Sequence, residues 1–240
     1  MKNIVCIIPA RSGSKGILNK NIVNLGGHPL IAWTIATAKR SKLINRTVVS
    51  TDSKEYQKIA REYGAEAPFL RPTNISEDSS TDLEFIKHLL EFFSESSYHP
   101  DLLIHLRPTT PLRDSIVVDE AIENFDKEKY TSLRSVHKLN TPIHKTFRIE
   151  DKKLVSFIEG DKSIDKFNEP RQAFQESYQA NGYIDIINPD FVSKHNLIHG
   201  NSCKAFVTER TFDIDEENDF KDLEYIVINE KLTLPEYKYE

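Results

Sequence analysis

Asn3-Ile4-Val5-Cys6-Ile7-Ile8-Pro9-Ala10-Arg11-Ser12-Gly13-Ser14-Lys15-Gly16 decides how this chain folds. Asn3 to Ile8 is a near-continuous apolar run rich in β-branched residues, the pattern of a strand buried on both faces. From Pro9 the composition turns abruptly to small, polar and basic residues, through Asn19-Lys20-Asn21 to the glycines Gly26 and Gly27. A loop of this kind, directly after a strand, lets backbone N–H groups approach phosphate oxygens closely. Arg11, Lys15 and Lys20 carry enough charge to neutralise most of a triphosphate. The spacing is neither that of a Walker loop nor that of the dinucleotide-binding G-x-G-x-x-G.

Outward from this segment, strands and helices alternate. Pro29 is a good first helical residue, and Leu30 to Ser41 reads as a helix. Arg46 to Ser50 reads as a strand, Ser53 to Tyr63 as a helix closed by Gly64, and Ala67 to Leu70 as a short strand. Thr81 to Ser94 reads as an amphipathic helix with Leu83, Ile86, Leu89, Leu90 and Phe93 inward. A strand over Asp101 to Leu106, a helix over Ile116 to Phe125 and a strand over Thr131 to Val136 follow. The alternation predicts an α/β fold: a mostly parallel sheet covered on both faces, with right-handed crossovers. Ligands of such sheets bind at the carboxyl ends of the strands, so the loops from Ala10, Thr51 and Arg107 are expected to meet.

After Val136 the pattern breaks. Lys145 to Ile149 and Lys153 to Ile158 read as a hairpin turned at Glu150-Asp151-Lys152, with irregular chain following. Alternation returns at Gly182 to Ile187 and Cys203 to Val207. The expected organisation is one α/β domain, residues 1–136 and 180–240, with 137–179 protruding as a lid or dimerisation subdomain. Cys6 and Cys203 both sit in apolar strand-like runs and are expected to be buried free thiols.

Charge is distributed unevenly. The net charge is −5, yet the first acidic residue is Asp52, and the stretch before it carries eight basic residues. A split of this size suggests an anionic ligand near the N-terminal part. Nucleic acid is not the expected ligand, because the chain is acidic as a whole and its basic residues gather at one loop without interleaved aromatics. No apolar run approaches the roughly 18 residues needed to span a bilayer, and the N-terminal run reads as a buried strand rather than a signal peptide. A cytoplasmic protein without membrane or nucleic-acid partners is therefore expected.

Three further segments carry chemistry. Asp213 and Asp215, two apart in Phe212-Asp213-Ile214-Asp215, share one side of an extended chain. Paired carboxylates suit Mg²⁺ completed by water and phosphate oxygens, although an acidic turn before a helix has the same composition. Arg107-Pro108-Thr109-Thr110-Pro111-Leu112-Arg113 is a stiff loop whose arginines reach carboxylate or phosphate, or else simply brace a turn. Glu169-Pro170-Arg171-Gln172 and Asn181-Gly182 complete the set.

In this order the segments resemble the acylneuraminate cytidylyltransferase family, the CMP-sialic acid synthetases. The resemblance runs over about residues 3–228 and is strongest at Ile7 to Gly16 and Asn19 to Asn21. It implies a three-layer α/β/α nucleotide-binding fold, of the nucleotide-diphospho-sugar transferase type. It also implies transfer of CMP from CTP to an acidic sugar, Mg²⁺ as cofactor, and a homodimer. Ala10, Arg11, Ser14, Lys15, Lys20 and Asn21 would hold CTP, with Asp78 and Ser79 helping to seat the cytidine. Arg107, Arg113, Lys145 and Asn181 would lie toward the sugar. Arg171 would reach it from a partner subunit, and Asp213 and Asp215 would hold the metal. Arg107 stands where the family commonly has glutamine, and Tyr183-Ile184-Asp185-Ile186 where Ala-Ile-Tyr-Ile is common. Both departures fall at the sugar side, where Arg107 adds a fixed cation. A legionaminic- or pseudaminic-type acid, or a 3-deoxy-octulosonic acid, is then as plausible as N-acetylneuraminate. The alternatives are another transferase of the same sheet and a silent nucleotide-binding scaffold.

Overall fold

The computed structural model describes residues 2–14, 16–158 and 164–234. β1 (Ile4–Pro9) lies inside a six-stranded sheet, as its apolar run requires. The other elements, in chain order, are β2 (Asn24–Leu25), β3 (His28–Pro29), α1 (Leu30–Arg40), β4 (Arg46–Ser50), α2 (Lys54–Glu62), α3 (Asp82–Glu95), β5 (Leu102–His105), α4 (Ser115–Glu123), β6 (Ser132–Lys138), β7 (Phe147–Glu150), β8 (Lys153–Ser156), β9 (Tyr178–Ile187), α5 (Pro189–His195), β10 (Cys203–Val207) and α6 (Glu217–Asn229), with short 3₁₀ turns between some of them. The sheet order is β10-β6-β9-β5-β1-β4. All neighbours are parallel except β9, which runs antiparallel to both β5 and β6.

Strand alternation divides the core. Ile4, Cys6 and Ile8 of β1 pack toward α1, α2 and α4, while Val5 and Ile7 pack toward α3 and α5. The result is the expected three-layer α/β/α architecture. Ser53 caps α2 by accepting from the Tyr56 N–H at 3.3 Å. Thr81 and Glu84 form a capping box at the start of α3.

A third, smaller core matters most for the site. Leu25, Leu30 and Trp33, at the end of the basic loop, pack with Leu223 and Val227 of α6 around Ile214. Trp33 Nε1 also donates to the Leu25 carbonyl at 3.0 Å. Burying Ile214 stabilises this junction by about 1.5–3 kcal/mol. The C-terminal segment is thereby pinned against the loop it has to face.

Four expectations need correction. Ala67 to Leu70 is not a strand: Pro68 removes a donor and leaves only a single bridge between Val48 and Glu66. The chain there is held instead by Gln57, whose amide donates to the carbonyls of Ala67 and Phe69. Pro29 precedes α1 as its N-cap rather than opening it. Phe212 to Asp215, whose two-residue spacing would put both aspartates on one face of a strand, belongs to no strand. Cys203 is exposed, because β10 is an edge strand, whereas Cys6 is buried and its thiol pushed well up by burial.

Between β6 and β9 the chain forms the β7–β8 hairpin, turned where Asp151 and Lys152 both adopt positive φ (49° and 65°), as a tight two-residue turn demands. β6 extends to Lys138 and β9 begins at Tyr178, so the protruding segment grows directly out of two sheet strands. No helix among the described residues is long and apolar enough to cross a membrane.

Candidate active site

The loops after β1, β4 and β5 converge at one edge of the sheet, as the topology requires. Ser12 donates twice to Asp52, from its N–H and its hydroxyl, each at 2.8 Å. The first acidic residue of the chain thus fastens the basic loop to the end of β4. Asn21 is buried and donates to the Arg11 carbonyl at 2.9 Å, which closes the loop on itself.

Two clefts open along this edge. The first, of about 430 Å³, is lined by Arg11, Ser14, Lys20 and Asn21 on one side and by Arg71, Asp78 and Arg107 on the other. Its cations are held in place by neighbouring groups. Arg11 pairs with Asp78 at 2.5 Å. Lys20 Nζ donates to the Ile214 carbonyl at 2.7 Å and lies 3.8 Å from Asp215. Gly16 is required here by close approach, since a Cβ would come within 2.5 Å of the Asp215 carbonyl oxygen.

The second cleft is larger, about 1220 Å³, and runs between the end of β6, the start of β9 and the segment after β10. Asn181, Asp213 and Asp215 are on its wall. Asp213 and Asp215 are exposed on either side of the buried Ile214, whose N–H donates to the Thr109 carbonyl at 2.9 Å. The alternation expected of these aspartates therefore exists without a strand, because one buried isoleucine fixes both. Lys20 reaches this segment from the first cleft, so the two clefts meet there.

Several sequence-predicted residues are placed elsewhere. Ala10 is fully buried and its N–H is committed to the Ser50 carbonyl at 2.9 Å, so it offers no donor to a phosphate. Ser79 is exposed on the outside of its loop, and Ser80 lines the cleft instead. Lys15 lies outside the described residues. Arg113 faces neither cleft. It is buried beneath them, donating to the carbonyls of Tyr183, Gly182 and Arg107 (2.6, 2.9 and 2.8 Å) and to Thr34 Oγ1 at 3.2 Å. Lys145 donates to the Glu169 carbonyl at 2.9 Å and lies over the Phe174 ring, outside both clefts; Arg171 is exposed and also outside them. Asn181 is on the second cleft, but its amide nitrogen is bonded to Thr208 Oγ1 at 2.7 Å.

Arg107 corrects a further expectation. It lines the first cleft, and its charge is not free: Nη1 donates to Asp185 and Nη2 to Asp82, each at 2.8 Å. The two departures from the family pattern, at 107 and 185, are thus in contact with each other.

Arg71 was missed by the sequence reading. It is 5% exposed, bonded to the Ser50 hydroxyl and carbonyl, stacked over Phe85 at 5.1 Å, and on the wall of the first cleft. Burial lowers its pKa to about 10, so it remains a cation at neutral pH. A lone arginine between Leu70 and Pro72 carries no pattern. Its only signal is position, in the loop that returns to the end of β4.

A basic, nucleotide-sized cleft that shares a boundary with a carboxylate-bearing second cleft suits transfer of a nucleotidyl group between two bound substrates. The fold agrees with this class. The solved structure of CMP:2-keto-3-deoxy-manno-octonic acid synthetase complexed with CTP superposes with a TM-score of 0.70 over 95% of this chain and 100% of that one, at 15% identity. The family model described as cytidylyltransferase matches residues 5–232, and the chain belongs to that family. It is a nucleotidyltransferase.

Among its relatives, N-acylneuraminate cytidylyltransferase of Escherichia coli O18:K1:H7 is 37% identical over 221 residues, 91% of this chain. The chain spans 50% of that longer protein. The post-translational flagellin modification protein B of Campylobacter coli is 31% identical over 99% of this chain and its own full length. CMP-N,N'-diacetyllegionaminic acid synthase of Campylobacter jejuni is 31% identical over 95% of this chain and 96% of its own.

Proposed function

We propose that the chain joins CMP from CTP to the anomeric hydroxyl of a nonulosonic, sialic-acid-like acid, releasing pyrophosphate. The observation that carries this reading is the junction of the two clefts. Lys20 stands in the nucleotide cleft and donates to the carbonyl of Ile214, the residue that separates Asp213 from Asp215. Two of the relatives, the N-acylneuraminate cytidylyltransferase and the CMP-N,N'-diacetyllegionaminic acid synthase, are named for acids of this kind, which favours a nonulosonic over a 3-deoxy-octulosonic substrate.

In-line attack by the anomeric oxygen on the α-phosphorus forms one P–O bond and breaks the bond to the β-phosphate oxygen, while the hydroxyl proton is lost. The protein's part is positioning and charge neutralisation. Arg11 and Lys20, with Lys15, would take the charge that builds on the departing pyrophosphate. Asp213 and Asp215 offer hard oxygen donors on one face of the junction, which fits Mg²⁺ sharing phosphate oxygens. When bound there, the ion would draw charge from the phosphate and make nearby hydroxyls more acidic.

The β7–β8 hairpin presents Ile149 (75% exposed) and Leu154 (51%) to solvent, and Phe157 (54%) follows just after it, which supports a homodimer formed through this segment. A cytoplasmic enzyme is in keeping with soluble, nucleotide-sized substrates.

Calorimetric titration with each of the four nucleoside triphosphates, in the presence of Mg²⁺, tests the nucleotide assignment. CTP is expected to bind at least about tenfold more tightly than the others, a difference of about 1.4 kcal/mol. Equal affinity for all four, or none for CTP, contradicts it.

A further inference from the structure

Asp185 stands near the C-terminal end of β9, where the neighbouring residues Ile184, Ile186 and Ile187 are buried and apolar. It is itself 1% exposed. A carboxylate at such a place costs several kcal/mol in desolvation unless it is paired, and an apolar side chain of similar volume would pack at least as well. Fold stability therefore gives no reason for its presence.

Its surroundings do give one. Asp185 Oδ2 accepts from Arg107 Nη1, and Asp82 Oδ2 accepts from Arg107 Nη2, each at 2.8 Å. Asp82 is the first residue of α3, and the loop just before it carries Asp78, the partner of Arg11. Arg107 is also wall of the nucleotide cleft. The guanidinium is thus gripped from the sheet on one side and from the start of α3 on the other.

The other groups around Asp185 make longer contacts than Arg107 does. Its Oδ1 makes no hydrogen bond among the described residues, with Arg134 Nε at 3.6 Å. His105 Nδ1 lies 3.8 Å away, but burial and the neighbouring arginines hold that ring well below the usual imidazole range, so it is neutral.

We propose that Asp185 is a positioning residue for the nucleotide cleft, acting through Arg107. With Asp82 it clamps the guanidinium, fixes the distance between the sheet and the rim at Asp78–Asp82, and so sets the width of the CTP pocket. The proposal rests on the reading of this cleft as the CTP site. It also assigns Arg107 a different task from binding the sugar carboxylate, since two carboxylates already neutralise it.

The test uses Asp185→Asn, Arg107→Gln, the double variant, and Asp82→Asn, which opens the same clamp from its half-exposed end and so spares the core. CTP affinity by calorimetry, KM and kcat by pyrophosphate release, and melting temperature are read for each. Asp185→Asn and Asp82→Asn are expected to raise the Kd and KM for CTP about tenfold, with kcat within about threefold of the unaltered protein. Arg107→Gln, which leaves the buried Asp185 only its longer ion pair with Arg134, is expected to do worse, and the double variant to regain most of that additional loss. A lower melting temperature with CTP affinity unchanged in Asp82→Asn and Asp185→Asn would reduce the clamp to a structural pair and overturn the proposal. Strictly additive losses in the double variant would do the same. An unaltered protein that does not bind CTP would instead overturn the assignment of the cleft, and the clamp's role with it.

Discussion

Asp213→Ala and Asp215→Ala are each expected to lower turnover by about 10²–10³-fold, the range typical for removing one preorganised electrostatic contact to a developing charge. Their melting temperatures should stay close to that of the unaltered protein. Both side chains are exposed, and the Asp215 side chain is 80% so. Among the described residues, the only side-chain hydrogen bond made by Asp213 is from Thr110 Oγ1, at a marginal 3.5 Å. The segment is held by other means, namely the burial of Ile214 and its N–H bond to Thr109. The loss should therefore appear in kcat rather than in folding, and CTP should still bind through the Arg11 and Lys20 side of the cleft. Near-normal turnover in both variants would remove the carboxylate pair from the chemistry and leave an acidic turn before α6.

Arg113→Met is expected to show the opposite pattern, a large loss of stability from a residue that touches no substrate. The change removes the donor to three carbonyls, those of Tyr183, Gly182 and Arg107, beneath a side chain that is itself buried. Each acceptor left unpaired costs about 1–3 kcal/mol, and relaxation around the shorter side chain recovers only part. A net loss of about 3–5 kcal/mol follows, which corresponds to a fall in melting temperature on the order of 10 °C for a chain of this size. Burial lowers the Arg113 pKa to about 9, yet its guanidinium remains charged at neutral pH, so Arg113→Lys keeps the charge but not the fork of donors and should rescue little. Chemical denaturation checks this directly. A variant that melts normally and shows only a raised KM for the sugar would return Arg113 to the substrate.

These two cases show where a sequence is legible and where it is not. Asp213 and Asp215 were readable because their spacing survives any local geometry that buries Ile214. The strand at Ile4–Pro9 was readable because a long run of β-branched and apolar residues has few other uses, while Arg46–Ser50 and Cys203–Val207 were readable from short apolar segments placed in the alternation of strands and helices. The arginines were not readable, because a guanidinium looks the same in sequence whether it faces a phosphate, a carbonyl or a carboxylate. Arg107 and Arg113 flank the same proline-stiffened loop, yet one is gripped by two aspartates and the other is buried under it. Arg71, with no motif around it, is on the nucleotide cleft. Asp185 did leave a trace, since a charged residue inside the apolar run Tyr183 to Ile187 needs a partner. Only the sheet order, which sets β9 beside β5, reveals that the partner is Arg107.

The segment between β6 and β9 was legible in its hairpin. Its hairpin follows from the turn at Asp151-Lys152, whose residues accept the positive φ that a two-residue connection demands. The described residues around the hairpin form short 3₁₀ turns and connecting chain, which carry no periodicity to read.

Pyrophosphate release by the purified protein with Mg²⁺ is the measurement that bears most directly on function, with each nucleoside triphosphate tested against a panel of nonulosonic and 3-deoxy-octulosonic acids. Release is expected with CTP and a nonulosonic acid, and not with ATP, GTP or UTP. Release only with a 3-deoxy-octulosonic acid would contradict the assigned sugar class, and silence with CTP across the whole panel would contradict the proposed reaction.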